Sequence, residues 1–80
     1  MRSVATEVYI FLEIDRKKQE KLEFNTDRVT GREIKAKGGV PLQDDLARRQ
    51  EGKLVLVTND EVITIKDGDH FVALPPGTIS

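Results

Sequence analysis

The side chains that could carry out chemistry are few in this sequence. His70 is the only histidine, and its nearest possible co-ligands are Asp67 and Asp69, in a turn. Metal sites usually need several histidine, cysteine or carboxylate ligands that converge on one point. We therefore interpret His70 as an ordinary residue at the beginning of a strand, and we predict no metal site and no cofactor.

The other candidates for catalysis also favour a structural interpretation. Adjacent carboxylates occur at residues 44–45 and 60–61. An acid–base pair needs two environments that separate its pKa values, and neighbours in one loop do not provide them. The glycines at 38–39 follow a predicted helix, whereas a phosphate-binding loop places its glycines before one. We predict that the chain is not an enzyme and has no catalytic residues.

The composition indicates one small domain with a thin core. The chain has 80 residues, of which 38% are hydrophobic and 34% charged. Its 13 basic and 14 acidic side chains are interspersed, without the basic excess that is typical of nucleic-acid binding. Cysteine is absent, which excludes disulfides and thiolate ligands. No apolar run is long enough for a signal peptide or a membrane span, so we expect a cytoplasmic protein without a membrane partner. We also expect a monomer that has no nucleic-acid partner.

Period-two alternation predicts strands at both ends of the chain. Residues 8–14 alternate aliphatic side chains with others, and residues 21–24 repeat the pattern after a polar turn, so the two segments predict an antiparallel hairpin. A last apolar strand is expected at 70–74, where the prolines at 75–76 end it. We expect the strands at 8–14 and 70–74 to lie side by side and parallel at the centre of a sheet.

One short helix is predicted between these strands. Thr30 and Glu33 have the spacing of a capping box, and Gly38-Gly39 offers a left-handed end. The stretch 42–50 fits a helix or a strand equally well. We prefer a strand, because the glycine in Glu51-Gly52 supplies the positive φ of a hairpin turn to a following strand at 54–57.

The order of these elements predicts an α+β fold of the β-grasp type, a mixed four- to five-stranded sheet with one short helix packed across it. We expect a disordered N-terminus over residues 1–6, a β-grasp domain over 7–75 and a flexible C-terminal tail over 76–80.

Five short motifs follow one another along the chain: Thr30-Gly31-Arg32-Glu33-Ile34, Gly39-Val40-Pro41, Asn59-Asp60-Glu61-Val62-Ile63, Lys66-Asp67-Gly68-Asp69-His70-Phe71 and Pro75-Pro76-Gly77. In the order and spacing of these motifs, the chain from about Val8 to Gly77 resembles the bacterial multiubiquitin domain, a ubiquitin-like family.

The resemblance implies a protein modifier or its precursor. Such proteins are handled by an activating-enzyme-like protein, a conjugating-enzyme-like protein and a metallopeptidase. It makes Gly77 the candidate attachment point, with Pro75 and Pro76 keeping the tail extended for recognition. This chain departs from the pattern because it holds one copy and continues through Thr78-Ile79-Ser80. Either a peptidase removes these three residues, or conjugation is not the function, or the sequence is a fragment of a tandem array.

The resemblance also implies a surface that partners grip, and we expect it around Leu46, Leu54 and Leu56. This leaves an alternative function, a non-covalent protein-interaction module of the ubiquitin fold. A sulfur carrier of the same fold is disfavoured, because it would need an exposed C-terminal glycine.

Overall fold

A computed structural model describes residues 7–78. These residues form seven strands and one helix, in the order β1 (Val8–Ile14), β2 (Lys18–Phe24), β3 (Arg28–Thr30), α1 (Gly31–Gly38), β4 (Asp45–Gln50), β5 (Lys53–Leu56), β6 (Val62–Thr64) and β7 (Asp69–Leu74). The segment 1–6, expected to be disordered, and residues 79–80 of the expected tail lie outside the described residues.

The two terminal strands pair at the centre of the main sheet, as predicted. Its strand order is β2-β1-β7-β4-β5. Strands β1 and β7 run parallel, with Ile10 opposite Asp69 and Ile14 opposite Ala73. The other pairs are antiparallel, including the predicted β1–β2 hairpin. The chain is thus an α+β fold with a five-stranded mixed sheet and one short helix, an architecture consistent with a β-grasp-like fold.

The two faces of this sheet have different surroundings. On the inner face, which packs against α1, strand residues join Ile34 of the helix in one buried cluster: Val8, Ile10, Leu12, Leu22, Phe24, Leu46 and Phe71. Because successive side chains of a strand point to opposite sides, the intervening residues lie on the outer face. These include Tyr9, Phe11, His70, Val72, Leu54 and Leu56.

Helix α1 begins and ends as its sequence predicts. The Thr30 hydroxyl accepts a hydrogen bond from the Glu33 amide at 3.1 Å, and Glu33 Oε1 accepts one from the Thr30 amide at 2.8 Å, which completes the capping box. The helix stops at Gly39, whose φ of 74° is left-handed. A Cβ at Gly38 would lie 2.5 Å from Leu12 Cδ2, so the last turn of the helix lies directly on β1.

The segment left open between helix and strand is a strand. β4 and β5 form a hairpin in which Glu51 and Gly52 both have positive φ, 50° and 80°, the signature of a type I′ turn. The small β3–β6 sheet was not predicted, since a three-residue strand is too short for alternation to be recognised. None of the described residues form a helix that is both long and apolar enough to cross a membrane.

Candidate functional site

The tail leaves the central strand and turns at once. After β7 ends at Leu74, the Thr78 amide donates to the Pro75 carbonyl at 3.2 Å, and the Thr78 hydroxyl donates to the same oxygen at 2.7 Å. Gly77 has a φ of 81°. Pro76 and Gly77 thus occupy the middle positions of a type II turn.

The expectation that Pro75 and Pro76 keep the tail extended is therefore wrong. Proline at the second position of a turn favours this bend when glycine, which tolerates a positive φ, follows it. All four residues of the turn are exposed, and no atom lies within 4 Å of the place that a Cβ at Gly77 would occupy. Gly77 is accordingly open to an approaching protein.

The three leucines predicted to form one interaction face do not share a face. Leu46 has no exposed surface and belongs to the inner core, so including it in the interaction face was wrong. Leu54 and Leu56 lie opposite Arg49 and Ala47, on the outer face, and are 40% and 43% exposed. Leu46 is one residue out of phase with them, and a shift of one residue reverses the face of a strand side chain.

Another exposed apolar residue of β5, which the sequence analysis did not single out, lies on the opposite face. Val55 points to the inner face opposite Arg48 and is 45% exposed. It lies there beyond the reach of the helix. β5 therefore carries three consecutive exposed apolar residues. A continuous apolar run is more typical of a strand buried on both faces, so this pattern did not mark β5 as an exposed edge.

A groove of about 430 Å³ opens on the inner face beside Val55. No residue of α1 lines it. Its walls come from the β4–β5 hairpin, the β6–β7 turn and the start of β7. Its lining residues are Arg48, Arg49, Gln50, Glu51, Lys53, Val55, Lys66 and Asp69. Four of these are basic and two are acidic, which leaves a formal charge of +2.

Arg48 is the one groove cation that is held by an acid. Its Nη2 lies 2.6 Å from Asp69 Oδ2 and also donates to the Thr64 carbonyl. The guanidinium carbon lies 5.5 Å from the centroid of the Phe71 ring. The same Asp69 oxygen accepts from the Lys66 amide at 2.9 Å. By contrast, within residues 7–78 no carboxylate lies within 4 Å of the ammonium group of Lys53 or Lys66.

The outer edge of β5 is unpaired in the described chain, because β5 is the last strand of its sheet. The Val57 amide donates to the Leu46 carbonyl at 2.8 Å, so the odd-numbered residues of this segment face β4. Backbone groups alternate in direction along an antiparallel strand. The N–H and C=O groups of Leu54 and Leu56 consequently point away from the sheet.

Lys35 is a buried cation outside the groove, and its contacts stabilise the fold. It is 3% exposed, and its Nζ donates to the Leu42 carbonyl at 3.0 Å, to Asn59 Oδ1 at 2.7 Å and to the Asp44 carbonyl. Burial lowers the pKa of Lys35, while the nearby Asp44 and Asp45 carboxylates oppose that shift. All three ammonium hydrogens have acceptors, so the group ties α1 to two loops.

The residues considered for chemistry are placed as follows. His70 is exposed and its ring stacks on Phe11, with centroids 5.2 Å apart. Within residues 7–78 no three histidine, cysteine or acidic side chains are grouped so that they could hold a metal ion. Comparison of the chain with models of protein families, with curated proteins and with solved structures found no match. The resemblance to the multiubiquitin domain stays a prediction.

Proposed function

We propose that this chain is a ubiquitin-like β-grasp protein that acts as a protein modifier or its precursor. The observation that supports this most is the course of the chain: the two terminal strands pair in parallel at the centre of the sheet, and the exposed tail leaves directly from one of them. A tail that starts from a central strand, paired on both sides, is presented in a fixed position relative to the folded surface.

Attachment through Gly77 would require that the residues after it be removed by a peptidase, for which a metallopeptidase is the expected partner. An activating-enzyme-like protein would then join the freed carboxylate to AMP, releasing pyrophosphate from ATP. A thiolate displaces AMP to give a thioester, and an amine of the target displaces that thiol to give an amide. The turn at Pro75–Thr78 would open as the tail enters the narrow active site.

Glycine suits this role because it has no side chain to obstruct the approach of the enzyme. The test is to express the N-terminally tagged protein in its cells of origin and to map branched peptides by mass spectrometry. We expect a target lysine joined to Gly77. Gly77→Glu should reduce adducts roughly a hundredfold, since small displacements of a reacting group cost that much.

The matched control is Gly68→Glu. Gly68 also has a positive φ, 86°, and no atom within 4 Å of its Cβ position, so this variant reproduces the backbone strain without touching the tail. Adducts that persist in Gly77→Glu, or that disappear equally in both variants, would exclude attachment through Gly77.

A second candidate function is non-covalent docking of a partner protein. It is favoured by the exposed apolar residues of β5, since a soluble domain rarely leaves such a strand edge uncovered without a use for it. Deletion of the residues after Leu74 should then leave partner binding intact, whereas it abolishes attachment. Loss of partner binding in this deletion would argue against docking at β5.

A further inference from the structure

The two edges of the main sheet differ in how they are protected. At the β2 edge, oppositely charged side chains face each other along the strand, with Lys18 3.3 Å from Glu20 and Lys21 3.9 Å from Glu23. Charged residues on an edge strand discourage the pairing of a further strand. The β5 edge carries Leu54, Val55 and Leu56, and Lys53 is the one charged residue of this strand.

The free backbone groups at this edge determine which kind of molecule fits it. Leu54 and Leu56 together offer two N–H donors and two C=O acceptors, spaced two residues apart and pointing outward. Another extended backbone has the same spacing and is the chemical group that satisfies all four. The edge therefore selects a strand.

The side chains of such a strand would alternate between two different surfaces. Residues on the outer face would meet Leu54 and Leu56, which are apolar and exposed. Residues on the inner face would lie over the groove, beside Lys53 and Lys66, whose ammonium groups have no carboxylate within 4 Å in the part of the chain that the structure describes. The first surface favours apolar side chains and the second favours acidic ones.

We propose that the β5 edge binds an extended segment of a partner protein in which apolar and acidic residues alternate. The segment adds a sixth strand to the sheet, with its apolar side chains on Leu54 and Leu56 and its carboxylates in the groove. This inference gives the second candidate function a site and a partner chemistry. It does not depend on attachment through Gly77.

The test is a titration of the full ¹⁵N-labelled chain with the peptide acetyl-Glu-Val-Glu-Val-Glu-Val-Glu-amide. Hydrogen exchange at the Leu54 and Leu56 amides should slow at least about tenfold on binding, because these protons gain hydrogen bonds. Exchange at Val55 and Val57, whose amides already face β4, should change little. A peptide that shields the β2 edge or the tail instead would overturn the proposal.

Two control peptides separate the two parts of the recognition. The peptide with lysine in place of glutamate keeps the apolar face and reverses the charge, and we expect it to bind at least about tenfold more weakly, with the difference shrinking as salt is added. The acidic peptide with N-methylated valines keeps both faces but cannot form the ladder, and it should not bind. Equal binding of either control would overturn the proposal.

Variants of the protein test the same edge from the other side. Leu54→Pro removes one outward N–H and no bond to β4, so the fold should be kept while binding falls roughly tenfold. Should Leu54→Pro fail to fold, the double variant Lys53→Glu, Lys66→Glu tests the groove, and it should reverse the preference to the lysine peptide. Unchanged preference in that variant, or a dimer of the free chain that already shields Leu54 and Leu56, would overturn the assignment of the edge to a partner segment.

Discussion

The inner side of the sheet has a part that α1 covers and a part that is open as the groove, and each part has one cation with several hydrogen-bond acceptors. In the covered part, Lys35 of α1 has no carboxylate within 4 Å among the described residues and instead donates to three oxygens from two loops. In the groove, Arg48 is held by the carboxylate of Asp69 and by the face of Phe71. Lys35 joins the helix to two loops, whereas Arg48 lines the open groove.

This difference shows how an 80-residue chain can combine stability with an open surface. A domain of this size has little buried area to spare, so its helix covers only part of one face. The covered part concentrates the apolar core. The groove is lined by charged side chains, two of which are lysines with no carboxylate within 4 Å in residues 7–78. Substitution of these lysines should change the free energy of unfolding little. The predictions below test this division.

The largest effect is expected from Lys35→Met, which keeps much of the side-chain volume and removes the donors. The variant removes one hydrogen bond each from the Leu42 carbonyl, the Asp44 carbonyl and Asn59 Oδ1. Because these oxygens are partly buried, the free energy of unfolding should fall by about 2–4 kcal/mol. Urea denaturation measures this. The control is Lys37→Met on the same helix: Lys37 is exposed and stands 5.2 Å from the Phe24 ring centroid, so about 0.5 kcal/mol should be lost.

The pH dependence of stability distinguishes the charge of Lys35 from its packing. Burial lowers the pKa of Lys35 below its ordinary 10.5, so the unfolded chain binds this proton more tightly than the folded protein. Stability therefore rises as the pH approaches 10.5 from below. The difference in unfolding free energy between the wild type and Lys35→Met should widen over that range. A narrowing difference would contradict the role given to burial.

Gly31→Ala should have the next largest effect. A Cβ there would lie 2.4 Å from the Thr58 carbonyl oxygen, a backbone atom that can move only with its loop, so we expect a loss of about 1–3 kcal/mol. Gly38→Ala is the comparison within the same helix. Its Cβ would meet Leu12 Cδ2, the mobile end of a side chain, and alanine favours a helix, so the loss should be below about 1 kcal/mol. Thermal unfolding ranks the two, and the reverse order would show that the Thr58 loop yields easily.

The covered part was largely predictable from the sequence, and the groove was not. Alternation over residues 8–14 and the capping box at Thr30 are local signals, and both led to the structure that is observed. The predicted Glu51-Gly52 turn already implied that Gln50 pairs with Lys53, which puts Leu46 out of phase with Leu54 and Leu56. Leu46 was nevertheless assigned to the surface, although it lies in the core. The groove brings together the β4–β5 hairpin, the β6–β7 turn and the start of β7, which are distant in the sequence, so no local pattern predicts it.

Asp69→Asn should have a smaller effect, because the groove reaches solvent. The variant removes the charge that holds Arg48, yet the Thr64 carbonyl and the Phe71 ring remain beside the guanidinium. We expect a loss of about 1 kcal/mol. The matched control is Asp60→Asn, which breaks the 3.1 Å ion pair with Arg32 on the open surface and should cost no more than about 0.3 kcal/mol. Equal losses, measured by urea denaturation, would mean that the partial burial of the Arg48 pair adds nothing.

The smallest effect is expected from removing the two lysines of the groove. Lys53 and Lys66 line the same opening, and neither ammonium has a carboxylate within 4 Å in residues 7–78. The double variant Lys53→Gln, Lys66→Gln should change the free energy of unfolding by less than about 0.5 kcal/mol, in either direction. Added salt should reduce whatever difference remains. A decrease of more than about 1 kcal/mol in the free energy of unfolding would mean that these lysines stabilise the fold, as Lys35 does. The groove would then be a structural feature and not a surface for a partner.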